Sequence, residues 1–188
     1  MRLGIPMAVL AVILLGVMTM SATKTDTNTP EATKTSFTLA SPAFSDGQSI
    51  PAKYTGDSKD VSPPLTWANP PGGTKAFCLI CDDPDAPGKT WVHWVIYNIP
   101  PHALSLPEAL EPNEIVFDGI RQGVNDFGNT GYGGPAPPKG KPHRYFFKLY
   151  ALNTAIDLKS GASKADLMRI IEGKVIEETV LMGKYQRK

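Results

Sequence analysis

The sequence predicts a mainly β domain, built as an antiparallel, sandwich-like sheet. Three short runs rich in β-branched and aromatic residues, Lys75–Cys81, Val92–Ile99 and Arg144–Leu152, have the composition of strands. Turn signals separate them, and no strand alternates with a helical pattern as a parallel sheet requires. The 18 Pro and 17 Gly among 188 residues follow no repeat period, so they mark loops rather than a fibrous chain.

Taken in order, the chain opens differently from how it continues. Arg2 precedes an uncharged stretch from Leu3 to Thr23 with Ala8–Leu15 at its centre. One basic residue and then an apolar run reads as a secretory signal or an N-terminal membrane anchor over residues 1–22. The run is near the lower limit of roughly 17–25 residues for spanning a bilayer, and Ser21-Ala22 offers a small-residue exit. Residues 23–36 are rich in Thr and hold no large apolar side chain, which predicts a disordered linker. The folded domain is expected over 37–188, outside the cytosol: secreted, periplasmic or anchored on the outer face of the cytoplasmic membrane.

Phe37-Thr38-Leu39 suggests a first strand, and Ser45-Asp46-Gly47-Gln48 a turn. Val61–Trp67 is extended, because residues before Pro avoid the helical region. Ser163-Lys164-Ala165-Asp166 has capping-box spacing, with Asp in place of Glu. Leu167, Ile170, Ile171, Val175 and Ile176 then keep helical spacing, and Gly173 divides the segment into two short helices. Cys78 and Cys81 lie on one strand, three residues apart and about 10 Å between Cα atoms. They face opposite sides, beyond disulfide reach, and read as two buried thiols.

Two Pro/Gly loops carry the candidate site. Asp82-Asp83-Pro84-Asp85-Ala86-Pro87 precedes Trp91-Val92-His93-Trp94, and Gly131–Pro142 precedes His143-Arg144-Tyr145. Each joins a stiff loop to a strand with one His, as two walls of one polar pocket would. Strand alternation puts His143 and Tyr145 on one side and turns Arg144 away, to brace an acidic loop residue or to be solvated. Asp83 and Asp85 are candidate carboxylates beside His93, since a carboxylate orients an imidazole and raises its pKa. Gly134 and Ala136, with Gly133, could present N–H groups to an anion. Trp91 could supply an apolar wall.

These residues, together with Pro64–Trp67, Asn98, Gly123–Gly128 and the segment up to Leu152, resemble the phosphatidylethanolamine-binding protein family in its prokaryotic Raf-kinase-inhibitor-like branch. The resemblance covers residues from Phe37 onward. It implies a Greek-key β-sandwich with C-terminal helices, the last of them over Glu177–Tyr185. It also implies a small cavity that accepts phosphate groups, with Tyr185 helping to close it, and relatives that regulate kinases or inhibit serine proteases.

The expected ligand is therefore a phosphate-containing small molecule or headgroup, with a protease or another protein as a further partner. Carboxylates beside a phosphate fit a zwitterion whose amine meets them, or carboxylates that hold the histidines protonated. With 19 Lys and Arg against 18 Asp and Glu, bulk charge gives no reason to expect nucleic acid. A membrane contact is expected only through the N-terminal segment. No cofactor or metal is expected, since neither H-x-x-x-H nor H-E-x-x-H occurs. No Ser, Thr or Cys is paired with a His by motif, so a non-catalytic binder is expected, with a small His/Asp hydrolase as the alternative.

Overall fold

A computed structural model describes residues 35–188, together with Met1 and Gly4. Apart from Met1, Gly4, Thr35 and Ser36, the expected leader and Thr-rich linker lie outside the described residues. The domain is mainly β, with two antiparallel sheets and one short α-helix. Strands β1 (Thr38–Ala40), β2 (Leu65–Ala68) and β5 (Ser105–Leu106) form a small sheet in the order β1-β2-β5. The larger sheet holds β3 (Ala76–Asp83), β4 (Trp91–Ile99), β6 (Arg121–Gln122), β7 (His143–Leu152) and β8 (Val175–Tyr185), in the order β6-β4-β3-β7-β8.

The larger sheet is covered on both faces, which explains why its central strands are mostly apolar rather than strictly alternating. All eight residues of β3 are buried. Phe77, Leu79 and Cys81 meet Trp94, Ile96, Tyr145 and Phe147 in the core shared with the small sheet. Cys78 and Ile80 point the other way, into a second core with Val95, Tyr97, Leu167 and Ile171. The two cysteines thus stand on opposite faces as free, buried thiols, and burial pushes both pKa values up. Each fully buried aliphatic or aromatic side chain contributes about 1.5–3 kcal/mol by leaving water.

Helix α1 (Lys164–Ile171) supplies the second core's cover. Its capping box forms as the sequence predicts: the Ser163 hydroxyl accepts from Asp166 N, and the Asp166 carboxylate accepts from Ser163 N. The helix is also tied to the sheet electrostatically. Asp82, 1% exposed and on this face of β3, pairs with Lys148 of β7 at 3.0 Å and with Lys164 at the start of the helix.

The expected second helix does not form. Gly173 breaks the segment with φ 70°, and Val175–Tyr185 is strand β8. Its Val175, Ile176, Thr179 and Val180 are β-branched, and β7 offers a partner along its whole length, from His143 opposite Tyr185 to Leu152 opposite Val175. That ladder overrides the local helical spacing.

Candidate functional site

Three segments meet at the Asp83 end of the β3–β4 hairpin: the hairpin loop, the 123–138 loop and the start of β7. They enclose a cavity of about 210 Å³ lined by Asp83, Trp91, His93, Phe127, His143 and Tyr145, with Ala86, Pro87, Ala136, Pro137 and Pro138 completing the rim. Most of the residues expected at the site are brought together here.

His93 reaches the cavity through a bulge. Cys81 pairs with Trp94 and Asp82 with Val92, so His93 is an extra residue on β4. Alternation from the core residues Ile96 and Trp94 would point it at the helix side; the bulge returns it to the cavity. The side chain is 3% exposed, and its Nδ1–H donates to the Gly133 carbonyl at 2.5 Å. A neutral imidazole has one N–H, so this bond leaves Nε2 as a lone pair. Burial pushes its pKa down, and the Gly133 bond opposes that only in part. The expected raised, carboxylate-backed His93 is therefore corrected: its partner is a carbonyl, and burial shifts it toward the neutral form.

The carboxylate backs the other histidine. Asp83, 3% exposed, lies with Oδ2 2.7 Å from His143 Nδ1. Its Oδ1 accepts from Asp85 N at 2.8 Å, so it also closes the hairpin turn. Tyr145 stands beside it, 1% exposed, its ring edge-on to His93 at 5.1 Å. Burial first, and the charge of Asp83 next, push the Tyr145 phenol far up, so it stays neutral and available for hydrogen bonding.

Asp85, Gly134 and Tyr185 differ from expectation. The Asp85 carboxylate accepts from Arg144 Nε at 2.8 Å, Nη2 at 2.7 Å and N at 3.0 Å, outside the cavity. The Arg144 guanidinium is the main cause holding its carboxyl down at about 2. Arg144 thus braces the mouth, and Asp85 is paired with it rather than lining this cavity. Gly134 N–H is committed to Asp60 Oδ1 at 2.6 Å and Gly133 N–H to the His93 carbonyl at 2.9 Å, so neither serves the expected anion nest, and of the three residues Ala136 alone lines the cavity. Gly134 is needed for packing: a Cβ there would lie 2.6 Å from the Tyr54 carbonyl oxygen and 2.8 Å from Thr55 Cα. Tyr185 sends its hydroxyl to Asp57 at 2.9 Å, away from the cavity.

Trp91 forms the expected apolar wall, packed edge-on against Phe127 at 5.4 Å. Phe127 is a site residue that sequence reasoning missed. It lines the cavity while 45% exposed, on a turn held by Asn125, whose Oδ1 accepts from Phe127 N and Asn129 N. An exposed aromatic directly after an Asx turn was its available signal. Among the described residues no group of three His, Cys, Asp or Glu side chains converges as a metal ion requires.

The arrangement offers two imidazoles, each anchored through Nδ1, with neither Nε2 bonded within the protein among the described residues. A phenol and a bracing carboxylate stand between them. Such a cavity can hold a small anionic oxygen cluster, or move a proton at Nε2.

Comparison with known proteins agrees with the architecture. The family model for phosphatidylethanolamine-binding protein matches residues 40–186. A UPF0098 protein of Methanothermobacter thermautotrophicus is 52% identical over 149 residues, 79% of this chain and 98% of that protein. A UPF0098 protein of Aquifex aeolicus is 47% identical over 77% of this chain and 85% of its own length. The crystal structure of Escherichia coli YbcL, described as a new member of the mammalian PEBP family, superposes with a TM-score of 0.76 at 36% identity, covering 81% of this chain and 99% of that one. The chain belongs to the phosphatidylethanolamine-binding protein family, in its UPF0098/YbcL-like prokaryotic branch.

Proposed function

We propose that this domain binds a phosphate-bearing small molecule or headgroup without catalysis, and through that binding regulates or inhibits another protein. One observation carries the reading: both histidines are held from behind at Nδ1, and both are left to meet a ligand at Nε2. Protonated there, an imidazole donates a charge-assisted hydrogen bond to a phosphoryl oxygen. Asp83 stands as a counterion for such a charge on His143. The lining offers no Ser, Thr or Cys as a nucleophile. With the leader read as an export signal, the targets are proteins outside the cytosol, serine proteases among them.

Calorimetric titration with inorganic phosphate and with phosphoethanolamine tests this. Binding is expected, weakened roughly 10–100-fold in His143→Ala, the range for losing one hydrogen bond to a charged group. Failure of every phosphate compound to bind overturns it. The Asp83–His143 pair favours a second reading, acid–base hydrolysis with water as the nucleophile. Metal-independent ester cleavage that disappears in His143→Ala would establish that reading instead.

A further inference from the structure

A second cavity lies outside the first, and His143 is the one residue bordering both. It is an open groove of about 490 Å³ lined by Asp85, Lys141, Pro142, Arg144 and Lys184 besides His143. Three cations and one carboxylate line it, in a chain whose formal net charge is only +1. Asp85 is committed to Arg144 through both guanidinium bonds, so that pair cancels. Lys141 and Lys184 remain, and among the described residues neither has an ion-pair partner. Lys184 also stands directly opposite Arg144 in the β7–β8 ladder. That register sets the Lys184 charge on the groove's β7–β8 wall, beside the neutralised Arg144–Asp85 pair.

The first cavity, about 210 Å³, is smaller than the roughly 300–1,000 Å³ of sites that enclose a drug-sized ligand. It has room for one small anionic group, and whatever is attached to that group must leave through the mouth. Ala86, Pro87, Pro137 and Pro138 make part of the rim apolar. Past His143 the way out is cationic.

Resting on the phosphate reading of the pocket, we propose that Lys141 and Lys184 form a second anion subsite and that the ligand is a diphosphate. One phosphoryl group sits against His93 and His143, the next lies along the lysines, and His143 touches both.

The test is titration of the full chain with inorganic phosphate, inorganic diphosphate and farnesyl diphosphate. Diphosphate is expected to bind about tenfold more tightly than phosphate, since two exposed charges each add a few-fold. The preference should narrow as salt rises. The double variant Lys141→Ala/Lys184→Ala should bring diphosphate down to the level of phosphate and leave phosphate affinity unchanged. Both lysines are exposed, so folding is expected to survive. Tighter binding of farnesyl diphosphate than of inorganic diphosphate assigns a lipid-borne source that uses the apolar rim; equal binding assigns a soluble one. Phosphate binding with no preference for diphosphate, or a preference that survives the double variant, overturns the subsite and leaves the pocket reading intact. No binding of phosphate or diphosphate overturns both.

Discussion

His93 and His143 present the same ring nitrogen to one cavity, but the protein holds them by different means. His93 sits in the sheet interior at a bulge, anchored by a backbone carbonyl and pushed toward neutrality by burial. His143 sits at a strand end, anchored by a buried carboxylate. One wall is fixed by packing and the other by charge. The contrast teaches that a shared orientation does not imply a shared role: a carbonyl partner fixes a tautomer, whereas a carboxylate can also stabilise an imidazolium.

The packed wall should break most severely. In Gly134→Val the new side chain meets the Tyr54 carbonyl and Thr55 Cα, backbone atoms that cannot swing aside. The loop carrying the Gly133 carbonyl must move, and His93 loses its anchor. Denaturant melts should show a loss of roughly 2–3 kcal/mol, the scale of overpacking, and titration should find no phosphate binding. Stability equal to that of the parent would show that this wall is not fixed by packing.

The charged wall should break more gently. Asp83→Asn keeps the shape and removes the carboxylate behind His143. Phosphate affinity is expected to fall about tenfold, as a charge-assisted contact weakens to a neutral one, with the melting temperature much less affected. Affinity that stays the same would reduce Asp83 to a turn residue.

A pH series sharpens the comparison further. Burial lowers the pKa of His93 from its ordinary 6.5. As pH falls from 6.5 toward the lowered value, the unfolded chain binds this proton and the folded chain does not. Stability therefore rises with pH across that window; the contribution is complete above 6.5 and is lost as pH falls through the window. His93→Asn should remove that slope. Phosphate acts in the opposite sense, because it favours the imidazolium. Binding should take up a proton, measurable by calorimetry in two buffers of different ionisation enthalpy, and weaken as pH rises. Proton-neutral binding would place the anion's contact elsewhere.

The smallest effect is expected outside the cavity. Arg144→Ala removes an exposed brace, and solvent screens such pairs. The melting temperature should fall by no more than about 3 °C, with phosphate affinity nearly unchanged. A loss of binding as large as that in Asp83→Asn would mean that Asp85 positions the hairpin loop for the ligand.

Much of the fold was legible because β3 and β4 are buried along almost their whole length and β7 from Leu149 to Leu152, and burial writes itself into composition. The cap of α1 was legible because all its partners lie within three residues. The pairing of His143 with Tyr145 in one cavity followed from alternation alone. Strand β8 was not legible, because its state is decided by β7 rather than by its own spacing. The bulge at His93 left no local mark either. The expected site residues committed elsewhere share one cause, a distant partner: Gly134 with Asp60, Asp85 with Arg144 and Tyr185 with Asp57 are 74, 59 and 128 positions apart.

Asp57 has a consequence for how the molecule comes into being. It receives the Tyr185 hydroxyl and the Arg187 guanidinium, while Gln186 reaches the Gly140 carbonyl. Asp60, three residues on from Asp57, holds Gly134. The loop behind His93 is thus latched by segments from opposite ends of the domain. A ribosome must deliver Arg187 before that latch can close, and closing so long a loop is entropically costly and slow. Strand β8, which ends at Tyr185, must be delivered as well before the larger sheet is complete, so the sheet edge and the ligand site should mature together.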